Sequence, residues 1–309
     1  MKHEIRIENV GTNTIDSALK RDAVLEDFMR DFVRRLVPLK AFSTVFGGVL
    51  LEGTDEVVVP WFDQQSAAST DWNASNGYVM GDTSSGMKKV TVNKRKYQSF
   101  RVKSSDLARQ PGLNPVVLNQ LNAEKLASDV LADILSAVTA AHYSGVGFTG
   151  AASTFDLSSV ATIKEAAKTW SGRRSLILDS AYDGALLKDG LLIANPNLSG
   201  ANVVEGAVTP RLMGFDYYEC PTIPDNSENL VGMAVHPSAM AIAFAPIVPN
   251  VEVAAHTVYS RVTDEQTGIS IEFRRWGNPD YDETRITCEC NYGYVVANAS
   301  GLLRIRSAS

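Results

Sequence analysis

Three cysteines and four histidines in 309 residues are few enough to close off whole classes of function. An odd, low cysteine count excludes a disulfide framework. Cys288 and Cys290 stand two apart in a β-type run, so they share a strand face and read as small core fillers. A zinc site there needs further ligands that the sequence does not place. His3, His142, His236 and His256 have no recognisable partner, and each reads as a solvated or structurally bonded histidine. There is no phosphate-binding loop, no G-x-S-x-G elbow, no H-E-x-x-H helix and no dinucleotide fingerprint. The acidic turn Asp280, Asp282, Glu283 has the ligand types for a hard cation but not the spacing. The most apolar run, AMAIAFAPIV (239–248), is too short to span a bilayer and contains Pro246. The opening MKHEIRIENVGTN lacks the apolar core of a secretory leader, so a soluble chain made in the cytosol is expected. No repeat and no low-complexity tract occurs. The expectation is a protein that is not an enzyme and uses no cofactor and no metal.

What is present is an uneven distribution of charge. The formal net charge is −6, with 45% hydrophobic and 21% charged residues, as in an ordinary folded chain. Residues 52–87 hold six acids and no base, and residues 88–109 hold eight bases and one acid. Between the β-type runs EVVVPWF and KKVTVNKRKYQSFRV lies a stretch rich in Gly, Ser, Asn and Asp. That pattern predicts a long two-stranded arm, acidic going out and basic coming back. An isolated hairpin is marginal in water, so the arm needs a partner surface. Nucleic acid is the obvious candidate for so basic a strand. However, Tyr97 and Phe100 have opposite parity and fall on opposite faces. Single-strand binders line their aromatics up on one face, and the net charge of −6 adds no attraction to a polyanion. A lysine-guarded edge strand is a second reading. A contact between subunits is the one that the pattern favours.

Elsewhere the periodicities are plain. Leu25, Phe28, Met29, Phe32, Val33 and Leu36 predict a helix over 15–36, capped by Thr14 and stopped by Pro38. Asn114, Pro115 and Gly145 bracket a long helix with a buried stripe at Ala127, Val130, Leu131, Ile134, Leu135 and Val138. About thirty residues would make a rod of roughly 45 Å. Residues 158–248 alternate helix and strand, including RSLILD and a helix SAYDGALLKDG capped at Ser180. Residues 251–306 are β-rich.

This order of parts resembles the major capsid protein of tailed bacteriophages, the Hong Kong 97-type fold. RSLILDSAYDGALLKD, LMGFDYYECPTIP and HPSAMAIAFA with GYVVANASGLLRI are the stretches that look like that family. The resemblance implies an α+β chain with an N-terminal arm (1–49), an extended E-loop hairpin (50–109), a P-domain spine helix (110–155), an α/β A-domain (156–248) and a β-rich P-domain return with the C-terminal strand (249–309). It implies a structural protein whose hexamers and pentamers close into an icosahedral shell. That shell encloses packaged double-stranded DNA without sequence-specific binding or a membrane. Scaffolding protein, portal and, in some shells, a decoration protein are the implied partners, and the virion is the implied location after assembly in the host cytoplasm. No long helical pro-region precedes the first helix, so scaffolding by a separate protein, or a processed form, is expected. The E-loop of this family reaches over the adjacent subunit. Lys88, Lys94, Arg95, Lys96 and Arg101 would then meet acids of a neighbour, with Asp280, Asp282 and Glu283 as candidates. Some members crosslink an E-loop lysine to an asparagine beside a glutamate; Lys88, Lys94, Lys96, Asn278 and Glu283 have the right types but not a matching spacing. An encapsulin-type compartment and a cytosolic α/β enzyme with an inserted arm are the alternative readings.

Overall fold

The computed structural model describes residues 32–44, 56–62, 85–103, 105, 115–188, 211–247, 257–263 and 269–308. Strict alternation in ETRITCECNYGYVV makes the longest strand, β13 (Glu283–Val296). Ile286, Cys288, Cys290 and Tyr292 share one face and are 0–7% exposed. Strands β12 (Ser270–Asn278) and β10 (Met240–Ala245) pair with successive halves of one edge of β13. Strand β4 (Lys94–Lys103) runs antiparallel along the other edge, from Lys103 opposite Glu283 to Lys94 opposite Tyr292. Strand β11 (Val258–Thr263) lies outside β12, and β1 (Ser43–Thr44) lies parallel to β10, giving six strands among the described residues.

The long helix, α1 (Pro115–Leu135), covers the apolar face of this sheet. The whole predicted stripe from Ala127 to Val138 is 0–2% exposed and packs with Phe32, Leu36, Leu39, Phe244 and Tyr292. Each Val, Leu, Ile or Phe among them contributes about 1.5–3 kcal/mol on burial. The helix is shorter than its sequence pattern, at 21 residues instead of about thirty. Its end is made from a distance. Asn226 donates from Nδ2 to the carbonyls of Leu135 (3.0 Å) and Val138 (2.7 Å), and Glu228 accepts from the Ala140 amide (2.7 Å). Asn226 holds φ +54, the left-handed geometry that asparagine tolerates. Carbonyls that would have carried the helix onward are satisfied by this loop instead.

The second sheet has the order β5 (Val146–Thr149), β14 (Leu302–Arg306), β9 (Leu230–Val235), β6 (Ser175–Leu178), β8 (Phe215–Glu219) and β7 (Arg211–Leu212). Helices α2 (Leu157–Ala166) and α3 (Ser180–Leu187) pack on one side with Leu176 and Leu178, while Ile177 joins the core under α1. A strand buried on both faces reads as a continuous apolar run, which is why SLIL shows no alternation. Helix α2 opens on a capping box between Asp156 and Ser159. Helix α3 is capped by Asp179, one residue before the predicted Ser180, whose hydroxyl turns to Glu219 (2.6 Å) instead. Sheet membership crosses the expected segment boundaries. Strand β10, within 156–248, belongs to the first sheet, and β14, within 249–309, lies inside the second between β5 and β9.

The arm is a hairpin of β2 (Glu56–Phe62) with β3 (Ser85–Thr91). The expected single basic return strand is in fact two strands. The chain leaves β3, bends at Val92–Asn93 with the Asn93 amide donating to the Thr91 carbonyl (3.2 Å), and becomes β4 in the main sheet. Of the predicted first helix, residues 32–35 are helical and lead into a 3₁₀ turn at Val37–Ala41. Residues 15–31, the Asn114 cap, His3 and His256 lie outside the described residues.

Candidate assembly surface

The register assigns the bases of β4 to two faces. Lys94 and Lys96 face α1. Lys94 Nζ donates to Asp133 Oδ2 and to the Tyr294 hydroxyl, both at 2.8 Å, and Tyr292 donates to the same Asp133 oxygen at 2.8 Å. Burial alone would raise the Asp133 pKa. The hydrogen bonds from Lys94 and Tyr292 and the charges of Lys94 and Lys96 outweigh it and hold the carboxyl below its ordinary range. Burial likewise opposes the Lys94 charge, and its bonds to Asp133 and Tyr294 still leave the amine above its ordinary range. Lys96 Nζ donates to the Asp129 carbonyl at 2.7 Å. The edge strand is thus stitched to α1.

The opposite face carries arginines over sunken carboxylates. Glu272, Glu283 and Glu289 are only 1–4% exposed. Arg95 donates to Glu289 Oε2 through Nε (2.9 Å) and Nη2. Arg274 lies 2.5 Å from the other oxygen, close enough to pair but not aligned as a hydrogen bond. Arg285 donates to Glu283 at 2.7 Å, and Arg101 reaches within 3.6 Å of it. Arg261 pairs with Glu272 at 3.3 Å. Burial pushes the Glu272 carboxyl up, although Arg261 and the Ile247 amide bond favour its charge. Exposed ends remain: the side chain of Arg101 is 67% exposed and that of Arg95 47%, with Tyr97 65% exposed between them.

The predicted residues therefore divide. Lys94, Arg95, Lys96 and Arg101 all have partners within their own chain. So does Glu283, expected at the surface as a neighbour's acid; it is buried because its parity on β13 places it under Arg101 and Arg285. Lys88 on β3 is exposed, opposite Val59, while Lys89 next to it pairs with Glu56 at 2.8 Å. Asp280 and Asp282 stay exposed on the turn between β12 and β13, where Asp282 takes φ +48. The partners that sequence reading missed are Asp133, Glu289, Tyr292 and Tyr294. The available signal was parity: Glu283, Arg285 and Glu289 alternate with Ile286, Cys288 and Cys290.

The remaining chemistry-bearing groups are bonded structurally. His236 bonds Ser238 Oγ (2.6 Å) and the Ser171 carbonyl (2.9 Å), and His142 bonds the Ala137 carbonyl (2.9 Å). All three cysteines are free and buried, and burial pushes the Cys290 thiol up to about 12. Among the described residues no group of three or more His, Cys, Asp or Glu is placed to hold a metal ion, and no helix is long and apolar enough to cross a membrane.

A family described as phage capsid protein matches residues 89–305, from within β3 to the last residue but one of β14. Among curated proteins none matches the sequence. Solved structures share the fold at low identity. The capsid of cyanophage P-SCSP1u is 11% identical, with 88% of this chain and 94% of that one covered at a TM-score of 0.56. The structure from Mycobacterium phage Adephagia is 12% identical over 88% and 89%, TM-score 0.52. That from Mycobacterium phage Che8 is 17% identical over 81% and 84%, TM-score 0.50. The family match takes in α1, the stitched edge strand, the second sheet almost whole and the first sheet apart from β1, and it spans well over half of the chain: this protein is a structural protein of the phage capsid family.

Proposed function

We propose that the chain is the major capsid protein of a tailed phage, with the Hong Kong 97-type layout. Many copies assemble as hexamers and pentamers into an icosahedral shell around packaged double-stranded DNA. The observation that carries this reading is the family match across residues 89–305, joined to an arm hairpin that leaves the main sheet. The segment assignments follow: N-terminal arm 1–49, E-loop 50–109, spine-helix segment 110–155, A-domain 156–248 and P-domain return 249–309. Assembly takes place in the host cytoplasm with a scaffolding protein and a portal, and the product is the virion shell.

Reversing Lys94 or Lys96 would first break the bonds to α1, so it cannot report on a neighbour. Lys88, the outer guanidinium of Arg101 and Asp280 are the exposed groups that we expect to meet another subunit. We expect Lys88→Glu and Asp280→Lys to leave subunit melting unchanged and to lower the yield of assembled particles. Each exposed pair is worth only ~0–1 kcal/mol, but the contact repeats around a shell, and the yield of wild-type particles should fall as salt rises. Equal yields for variants and wild type across salt would refute this contact.

The test of the function is light scattering on the size-exclusion eluate of the expressed chain, with negative-stain images of the void peak. Closed shells that protect DNA establish the reading. Shells filled with a protein cargo would instead indicate an encapsulin-type compartment. A small oligomer with a bound metabolite would favour the enzyme.

A further inference from the structure

The arm's departure from the sheet is fixed within one subunit. Strand β3 crosses the face of the sheet opposite α1, over the small residues of β10. Val90 is fully buried there against Ala241 and Ala243, with Val92 and Val295 alongside. Gly293 stands opposite Ala243 in the register. A Cβ on Gly293 would lie 2.1 Å from the Thr91 carbonyl oxygen and 3.0 Å from Val92 Cα. Both are backbone atoms, so no side chain can swing aside to make room. Immediately beyond the crossing the chain bends, and Lys94 is held by Asp133 and Tyr294. The kink of Thr91–Asn93 is therefore clamped at both ends, by backbone contact on one side and by a lysine locked to α1 on the other.

We propose that Gly293 is the positioning residue that sets the arm's direction, and that the arm root is preset in the free subunit instead of being ordered by a neighbour. A binding element held in its bound direction loses less entropy on association. A root that a neighbour had to organise would have no reason to bury Val90 in its own chain. The bearing of this on shell geometry rests on the capsid reading; the preset root itself does not.

The test uses the full-length, unassembled chain at high dilution. Spin labels at Lys88→Cys on the arm and Leu121→Cys on α1 occupy exposed positions, and the three native cysteines are too buried to compete. Pulsed electron–electron resonance should give one narrow distance. Gly293→Ala should shift and broaden it, with near-UV circular dichroism showing the fold retained. Val90→Ala and Lys94→Gln loosen the two clamps without touching the β13 backbone, and both should broaden the distribution. If Gly293→Ala fails to fold, these two decide the matter. A broad distribution in the parent chain refutes the preset root. A distance unchanged in Gly293→Ala, or in both clamp variants, refutes the positioning role. If no variant or wild type forms shells, the capsid reading falls while the distance measurement still stands.

Discussion

Glu289 joins three strands, and its replacement gives a measurable separation of surface from buried charge. Its side chain is 4% exposed and lies between Arg95 of β4 and Arg274 of β12. Arg95 is 47% exposed and can rehydrate when its partner is lost, whereas Arg274 is 17% exposed and cannot do so fully. Removing one member of a buried pair costs about 3–5 kcal/mol because the other charge is left uncompensated. A half-exposed pair is worth about 0–1 kcal/mol. Glu289→Gln keeps shape and some hydrogen bonding, so the expected loss is about 3 kcal/mol, carried mostly by Arg274. Arg95→Met should cost about 1 kcal/mol or less. Urea unfolding of the unassembled chain, followed by tryptophan fluorescence, gives both values. A double-mutant cycle then isolates each coupling. The reasoning fails if Glu289→Gln costs under about 1 kcal/mol, or if Arg95 couples to Glu289 as strongly as Arg274 does.

Asp133 has a depressed pKa in the folded chain, so its contribution is present above the ordinary carboxylate value and is lost as pH falls through the lower folded value. Acid unfolding of Asp133→Asn should accordingly differ from wild type near neutrality and converge with it at low pH. Glu272 has the opposite sign. Its pKa is raised, so the stability it adds is present below the unfolded value of 4.5 and is lost as pH rises through the folded value. Glu272→Gln should flatten that decline in a melting series run from acid to neutral pH, and an unchanged slope would refute it. Asn226→Gly keeps the left-handed backbone but removes both bonds to the end of α1. The expected loss is about 1–3 kcal/mol, with earlier hydrogen exchange at residues 132–138.

What the sequence disclosed and what it hid follow the range of the interactions. The stripe from Ala127 to Val138 was legible because helical periodicity is local, and all six residues are buried. The helix end was not legible, because the group that caps it, Asn226, lies some ninety residues further on. The pairing of Cys288 and Cys290 on one apolar face was legible from parity. The destination of β4 was not. KKVTVNKRKYQSFRV has strand character throughout, and nothing in it marks Val92–Asn93 as the place where one sheet is exchanged for another. That break is set by Gly293, two hundred residues away, where the backbones cross. The charge of the site residues is legible in the sequence, but their partners come only from the fold.

The segregation of charge along the arm then resolves into two separate matters. Three bases of β4 are counter-ions of their own subunit: Lys94 answers Asp133, Arg95 answers Glu289, and Arg101 answers Glu283. None of these acids belongs to the acidic run 52–87. Of that run, Glu56 is the one acid among the described residues, and it pairs with Lys89 beside it. Had β4 neutralised the outgoing strand, as a simple hairpin would, Asp133 would have lost Lys94, Glu289 would have kept only half of its arginine pair, and Glu283 would have lost Arg101. The fold instead spends the basic strand on the sheet and helix that hold the arm in place. The charge that gives the arm its direction is thus distinct from any charge that gives it a partner. Substitutions on β4 should change how the arm leaves its own subunit, and substitutions at Lys88 and on the 279–282 turn should change what the subunit meets.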